Sequence, residues 1–105
     1  MDELVTIIEK MGVPYAYDHF AEGETPGTPF ICYLIPGSNN FAADGKVYYK
    51  ISKVHIELYT ELKDLAVEGI IEAVLDEYGI FYEKTEVWIE SEKLYEVLYT
   101  FEMEV

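Results

Sequence analysis

Leu94-Tyr95-Glu96-Val97-Leu98-Tyr99-Thr100-Phe101-Glu102-Met103-Glu104-Val105 puts Tyr95, Val97, Tyr99, Phe101, Met103 and Val105 on one parity and Glu96, Thr100, Glu102 and Glu104 on the other. Successive side chains of a strand point to opposite faces, so this alternation predicts a half-buried strand. One side meets the core and the other meets water or a neighbouring subunit. Phe81 to Ile89 is also strand-like, and Glu90-Ser91-Glu92-Lys93 is a polar turn, so the carboxyl-terminal part reads as a hairpin.

Upstream of the hairpin, the spacing predicts a helix from about Lys63 to Tyr78. Val67, Ile70, Ile71, Val74 and Tyr78 form its buried stripe, and Gly79 stands just past its end. On the outer face Glu68, Glu72 and Asp76 repeat every four residues, where like charges cost a few tenths of a kcal/mol per neighbouring pair. That row reads as a solvated face, or as a surface kept negative for a purpose. From Val47 to Tyr59 the pattern is β, but Val47, Tyr49 and Ile51 share one parity while Val54, Ile56 and Leu58 share the other. One extra residue repairs the mismatch, which predicts a bulge or bend near Ser52 or Lys53.

The amino-terminal third supplies the remaining pieces. Leu4, Ile7, Ile8 and Met11 lie on one stripe of a helix from Asp2 to Met11, stopped by Gly12 and Pro14. Tyr15 to His19 suits a short strand, and the glycines and prolines of residues 21–29 make a long loop. Phe30 to Ile35 reads as a buried strand closed by Pro36-Gly37, and residues 38–45 form a second polar excursion. The expected architecture is a single α+β domain over residues 1–105, a mainly antiparallel sheet of about four to five strands with two helices packed on one face.

Charge bounds the function. The chain carries a formal net charge of −14 while 50% of its residues are hydrophobic, so the carboxylates decorate a folded body instead of a solvated tail. DNA presents one negative charge per roughly 1.7 Å of axis, so direct nucleic-acid binding is disfavoured, as is an anionic membrane surface. The amino terminus lacks the basic-then-apolar pattern of a secretory signal, and no apolar stretch is long enough to span a bilayer. A reducing cytosol is the expected compartment at synthesis.

Recognisable catalytic chemistry is missing from the pattern. One cysteine and two separated histidines, His19 and His55, do not make a zinc site, and no motif flanks Cys32 as a nucleophile. Cys32 lies in an apolar run and is expected to be a buried, inert thiol. Asp44-Gly45 is only a turn signal, since the repeated ligands of a calcium loop do not follow. No cofactor, metal or catalytic residue is expected, and the chain reads as a non-enzyme.

Aromatic residues are the stronger lead. Tyr48, Tyr49, Tyr59, Tyr82, Trp88, Tyr95 and Tyr99 cannot all point into one small core, and tyrosine and tryptophan favour interface centres. Phe41, apolar within a polar loop, is the best single candidate there. Asn39, Asn40, Phe41, Asp44, Tyr48 and Trp88 are the candidate interface residues, and Glu68, Glu72 and Asp76 the candidate acidic face.

Tyr17-Asp18-His19-Phe20, Pro29-Phe30-Ile31-Cys32-Tyr33, Gly37-Ser38-Asn39-Asn40-Phe41, His55-Ile56-Glu57-Leu58-Tyr59-Thr60 and Glu86-Val87-Trp88-Ile89-Glu90-Ser91-Glu92 resemble segments of a small prophage protein of low-GC Gram-positive bacteria. In such phages the gene lies between the head–tail connector genes and the major tail tube gene. The likeness covers essentially the whole chain and is one of pattern. Proteins at that position are similar to tail terminators, also called tail completion or head–tail joining proteins. The resemblance implies a subunit that caps the tail tube and docks it to the head. It would be a hexamer in the virion and a monomer or weak oligomer when isolated, with the tube and connector proteins as partners. It also implies residence in the host cytoplasm during assembly and then in the virion tail or neck. A carboxylate-lined lumen would repel the passing genome. A reading from another class is an acidic DNA mimic that inhibits a host nucleic-acid-binding protein, with Glu68, Glu72 and Asp76 as surrogate phosphates.

Overall fold

Alternation along the last segment is realised as a long strand in the computed structural model, which describes residues 2–39, 41–43 and 46–104. In chain order the elements are α1 (Asp2–Glu9), β1 (Tyr15–Tyr17), β2 (Phe30–Ser38), β3 (Phe41–Ala43), β4 (Lys46–Tyr49), β5 (Ile51–Thr60), α2 (Leu65–Glu77), β6 (Glu83–Ile89) and β7 (Leu94–Glu104). Five strands form one sheet in the order β1-β2-β5-β7-β6, and β3 pairs with β4 in a separate two-stranded arm. Only the β1–β2 pairing in the main sheet is parallel. The fold is α+β with a five-stranded, mostly antiparallel sheet.

Burial follows the parities. Val97, Tyr99 and Phe101 of β7 lie beside Leu58, Ile56 and Val54 of β5 on one face. Both helices cover that face: Leu4, Ile7, Ile8 and Met11 from the first, Ile71, Val74 and Leu75 from the second, all in one buried cluster. Each large aliphatic side chain taken fully out of water contributes about 1.5–3 kcal/mol before entropy is set against it. This layer holds the domain together.

Three local expectations change. The β5–β7 ladder runs without a shift from Ile51 to Thr60, and Ser52, Val54, Ile56, Leu58 and Thr60 are all buried. The phase change comes from a break at Lys50, not from a bulge at Ser52 or Lys53. A bulge does occur across the ladder, where Leu34 pairs with His55 and Gly37 with Lys53, so Ile35 and Pro36 stand opposite Val54 alone. Pro36 has no N–H to give a ladder, and a bulge tolerates that deficit, which is why the strand passes through it to Ser38. Within the expected loop of residues 38–45, Phe41–Ala43 is a strand.

The second helix is rotated relative to its expected stripe. Ile70 is 51% exposed, whereas Glu68 is only 2% exposed. Its ends are well defined. Asp64 accepts a hydrogen bond from the Val67 amide at 3.1 Å at the start. At the finish Gly79, at φ 65°, donates to Asp76 and Ile80 donates to Leu75, the paired bonds of a left-handed C-terminal cap.

Candidate interaction surfaces

Successive steps of four residues rotate about 40° around an α-helix, so a row of such steps drifts from one face to another. Glu68 falls at the buried end of that drift, Glu72 is half-buried and Asp76 is exposed. The expected acidic face is therefore corrected: Glu68 is not on the surface. Its carboxylate lies 2.8 Å from Lys63 Nζ and 2.8 Å from Lys84 Nζ. Lys63 also reaches Glu86, and Lys84 reaches Glu72 at 2.8 Å. The Tyr99 hydroxyl donates to Glu72 at 2.7 Å from inside the core. Two lysines thus clasp the helix to β6.

Protonation follows from this geometry. Burial works to raise the Glu68 carboxyl, but hydrogen bonds from Lys63 and Lys84 overcome it and hold the group below the ordinary carboxylate value. Burial likewise opposes, and Lys84 and Tyr99 outweigh, the shift at Glu72. The hydrogen bonds to Glu68 and Glu72 push the Lys84 ammonium up. All three groups stay charged at neutral pH.

Trp88 lies near the end of β6. It is 41% exposed, packs 4.7 Å from the Tyr95 ring, and donates from Nε1 to Glu90 at 2.6 Å. Tyr95 in turn pairs with Thr60. Leu62, 80% exposed, follows Thr60 by two residues, and Leu65, 70% exposed, opens α2. The ion pair from Lys63 to Glu86 ties the 62–65 segment to the same end of the sheet. A concavity of about 350 Å³ lies between Pro29, Thr60, Leu62 and Asp64. The sequence pattern singled out Trp88 but missed Leu62 and Leu65. Their signal is two leucines flanking Lys63-Asp64, just where a helix cap leaves side chains outside the core.

The other interface candidates sit on or near the arm. Asn39 donates its backbone N–H to Ile51 at 2.9 Å, and its side chain lies 3.4 Å from both Glu102 oxygens. Phe41 in β3 pairs with Tyr49, and Tyr48 belongs to β4. Asn40 and Asp44 lie outside the described residues. The arm candidates and Trp88 are thus at opposite ends of the β2–β5 ladder: Ser38 pairs with Ser52 near the arm, and Phe30 with Tyr59 near Trp88.

The helix-free face of the sheet holds a half-buried cluster. Phe30 stacks on Tyr59 at 5.1 Å, and Phe20 meets Phe30 edge-on at 5.5 Å. The Tyr59 hydroxyl lies 2.8 Å from Glu96 and 3.3 Å from Glu57. It has one hydrogen, so it donates to Glu96, and Glu57 is left beside a like charge. Burial, then Glu96, raises the Glu57 carboxyl. Cys32, 5% exposed, has its thiol pushed up to about 11 by burial and then by Glu57, Asp18 and Glu96. It is the inert thiol expected, since thiolate is the reactive form.

A cleft of about 670 Å³ is lined by Lys53, His55, Phe81, Glu83, Thr100 and Glu102. Its charged groups, Lys53, Glu83 and Glu102, are all exposed, and His55 is half-buried. Among the described residues no group of His, Cys, Asp and Glu is arranged to hold a metal ion, and no helix is long and apolar enough to cross a membrane. Neither protein-family models nor curated proteins yield a match to this chain.

Proposed function

We propose that this chain is a non-enzymatic structural subunit of a long-tailed phage, a tail terminator or head–tail joining protein. It caps the tail tube and docks it to the head as a hexameric ring with an acidic conduit, and is monomeric or weakly associated when isolated. Its partners are the major tail tube protein and the connector proteins, and it moves from the host cytoplasm into the virion tail or neck. The whole-chain likeness of the quoted segments motivates this reading. The observation that carries it is electrostatic: Lys10, Lys63, Lys84 and Lys93 are each held by carboxylates of their own chain. The surface left to a passing genome is dominated by negative charge and favours sliding over binding.

Electron microscopy of particles assembled without this protein tests the reading. Tails of uncontrolled length that fail to join heads support it, and normal tails joined efficiently to heads overturn it. The mimic reading loses its row of surrogate phosphates, because Glu68 is buried and paired with two lysines.

A further inference from the structure

We propose that the β6 edge and the apolar end beside it form a docking site for an extended, basic segment of another protein, which adds to the sheet as a further strand. The inference does not depend on the phage reading.

Strand β6 is the outermost strand of its sheet and, among the described residues, is hydrogen-bonded only to β7. An edge strand presents a row of unpaired backbone donors and acceptors on its outer side, and proteins blunt such edges with charge, bulges or a covering element. Here the protection covers half the strand. Glu83, Lys84 and Glu86 make the first part charged, while Val87, Trp88 and Ile89 leave the last part apolar, with Val87 51% and Trp88 41% exposed. Leu62 and Leu65, both exposed, flank Lys63, whose ion pair with Glu86 ties their segment to this strand. Main-chain pairing along such an edge supplies affinity, and neighbouring pockets supply specificity.

Charge selects the occupant. Glu90 accepts from Trp88, Glu92 lies in the turn that follows Ile89, and Glu61 and Asp64 stand beside Leu62. The two nearby lysines are already engaged, Lys63 by Glu68 and Glu86, Lys93 by Glu90. A second copy of the chain would bring another net charge of −14, and its own β6 offers only Lys84, which is held by Glu68 and Glu72. Like charges set face to face oppose self-pairing at this edge. A segment alternating lysine or arginine with β-branched residues satisfies both the backbone and the neighbouring carboxylates. Any ring of copies must therefore use other surfaces for its own contacts.

Trp88 is the sole tryptophan, so its emission reports from within the proposed site. The probe is a short synthetic peptide alternating lysine and valine, compared with its glutamate–valine counterpart and with a lysine–valine peptide interrupted by prolines. The expected result is a blue shift of Trp88 emission with the lysine peptide alone, weakened by added salt. In fluorescence anisotropy with labelled peptide, the double variant Glu61→Gln and Glu92→Gln, both at exposed positions, should bind about threefold or more weakly. Equal binding by the glutamate peptide, equal binding by the proline-interrupted peptide, or unchanged affinity in the double variant overturns the proposal. So does a lysine peptide that leaves Trp88 emission unmoved.

Discussion

Glu68 and Asp76 look alike in sequence, two acids on one row of a helix, yet their substitution should differ several-fold in cost. Glu68→Ala leaves two lysines facing an empty buried site. The expected loss is about 2–3 kcal/mol, short of the roughly 3–5 for a wholly buried pair because the lysines keep partial contact with water. Asp76→Ala, at an exposed position, should change stability by less than about 0.5 kcal/mol. Urea unfolding of both variants measures the contrast. Glu57 has the opposite sign. Its folded carboxyl is raised above the ordinary 4.5, so its charge opposes folding above that raised value. Glu57→Gln should stabilise the protein at pH 7 by about 0.2–1 kcal/mol, as expected for relieving a like-charge neighbour on a sheet face. That gain should fade as pH falls toward 4.5. Glu68, held below its ordinary value, gives stability that is present above 4.5 and lost as pH drops through its folded value. Unfolding of Glu57→Gln and Glu68→Gln across pH 3–7 checks both signs.

Elements resolve what single residues leave open. Asp64 caps α2 through the Val67 amide, and Asp64→Ala should cost about 1 kcal/mol in thermal or urea unfolding, with m unchanged. Strand β7 is legible in the sequence because its alternation has period two and one face is buried, and its hairpin with β6 because a polar turn, Glu90-Ser91-Glu92-Lys93, separates two strand-like runs. The cap at Gly79 was legible because a left-handed residue favours glycine. The rotation of α2 was not legible. Ile70 and Glu68 exchange their expected places because Lys63, just before the helix, and Lys84, on a strand beyond it, neutralise a buried acid that hydropathy alone assigns to water. The phase mismatch between Val47–Ile51 and Val54–Leu58 marks the break at Lys50, and the bulge in β2 leaves no trace in that parity, since parity within one strand does not reveal what its neighbour does. The arm strand Phe41–Ala43 reads as loop in the sequence because its residues follow a polar stretch and the run is only three residues long.

At the scale of the molecule, the principal extents of 49 × 29 × 23 Å describe an elongated body. A net charge of −14 on that body is a self-repulsion that salt relieves. Raising ionic strength from about 0.01 M to about 0.1 M shortens the screening length from about 30 Å to about 10 Å. Tm at neutral pH should rise by several degrees over that interval, measured by circular dichroism. A fall in Tm would mean that the lysine clasp, which salt weakens, outweighs the general repulsion. The arm emerges from β2 and β5, and β5 is bound to β7 by an unshifted ladder from Ile51 to Thr60. Tension applied along the arm would therefore load those rungs together in shear, rather than peel them one by one. The ladder would be mechanically stiff along its own length while remaining easy to unzip from the side.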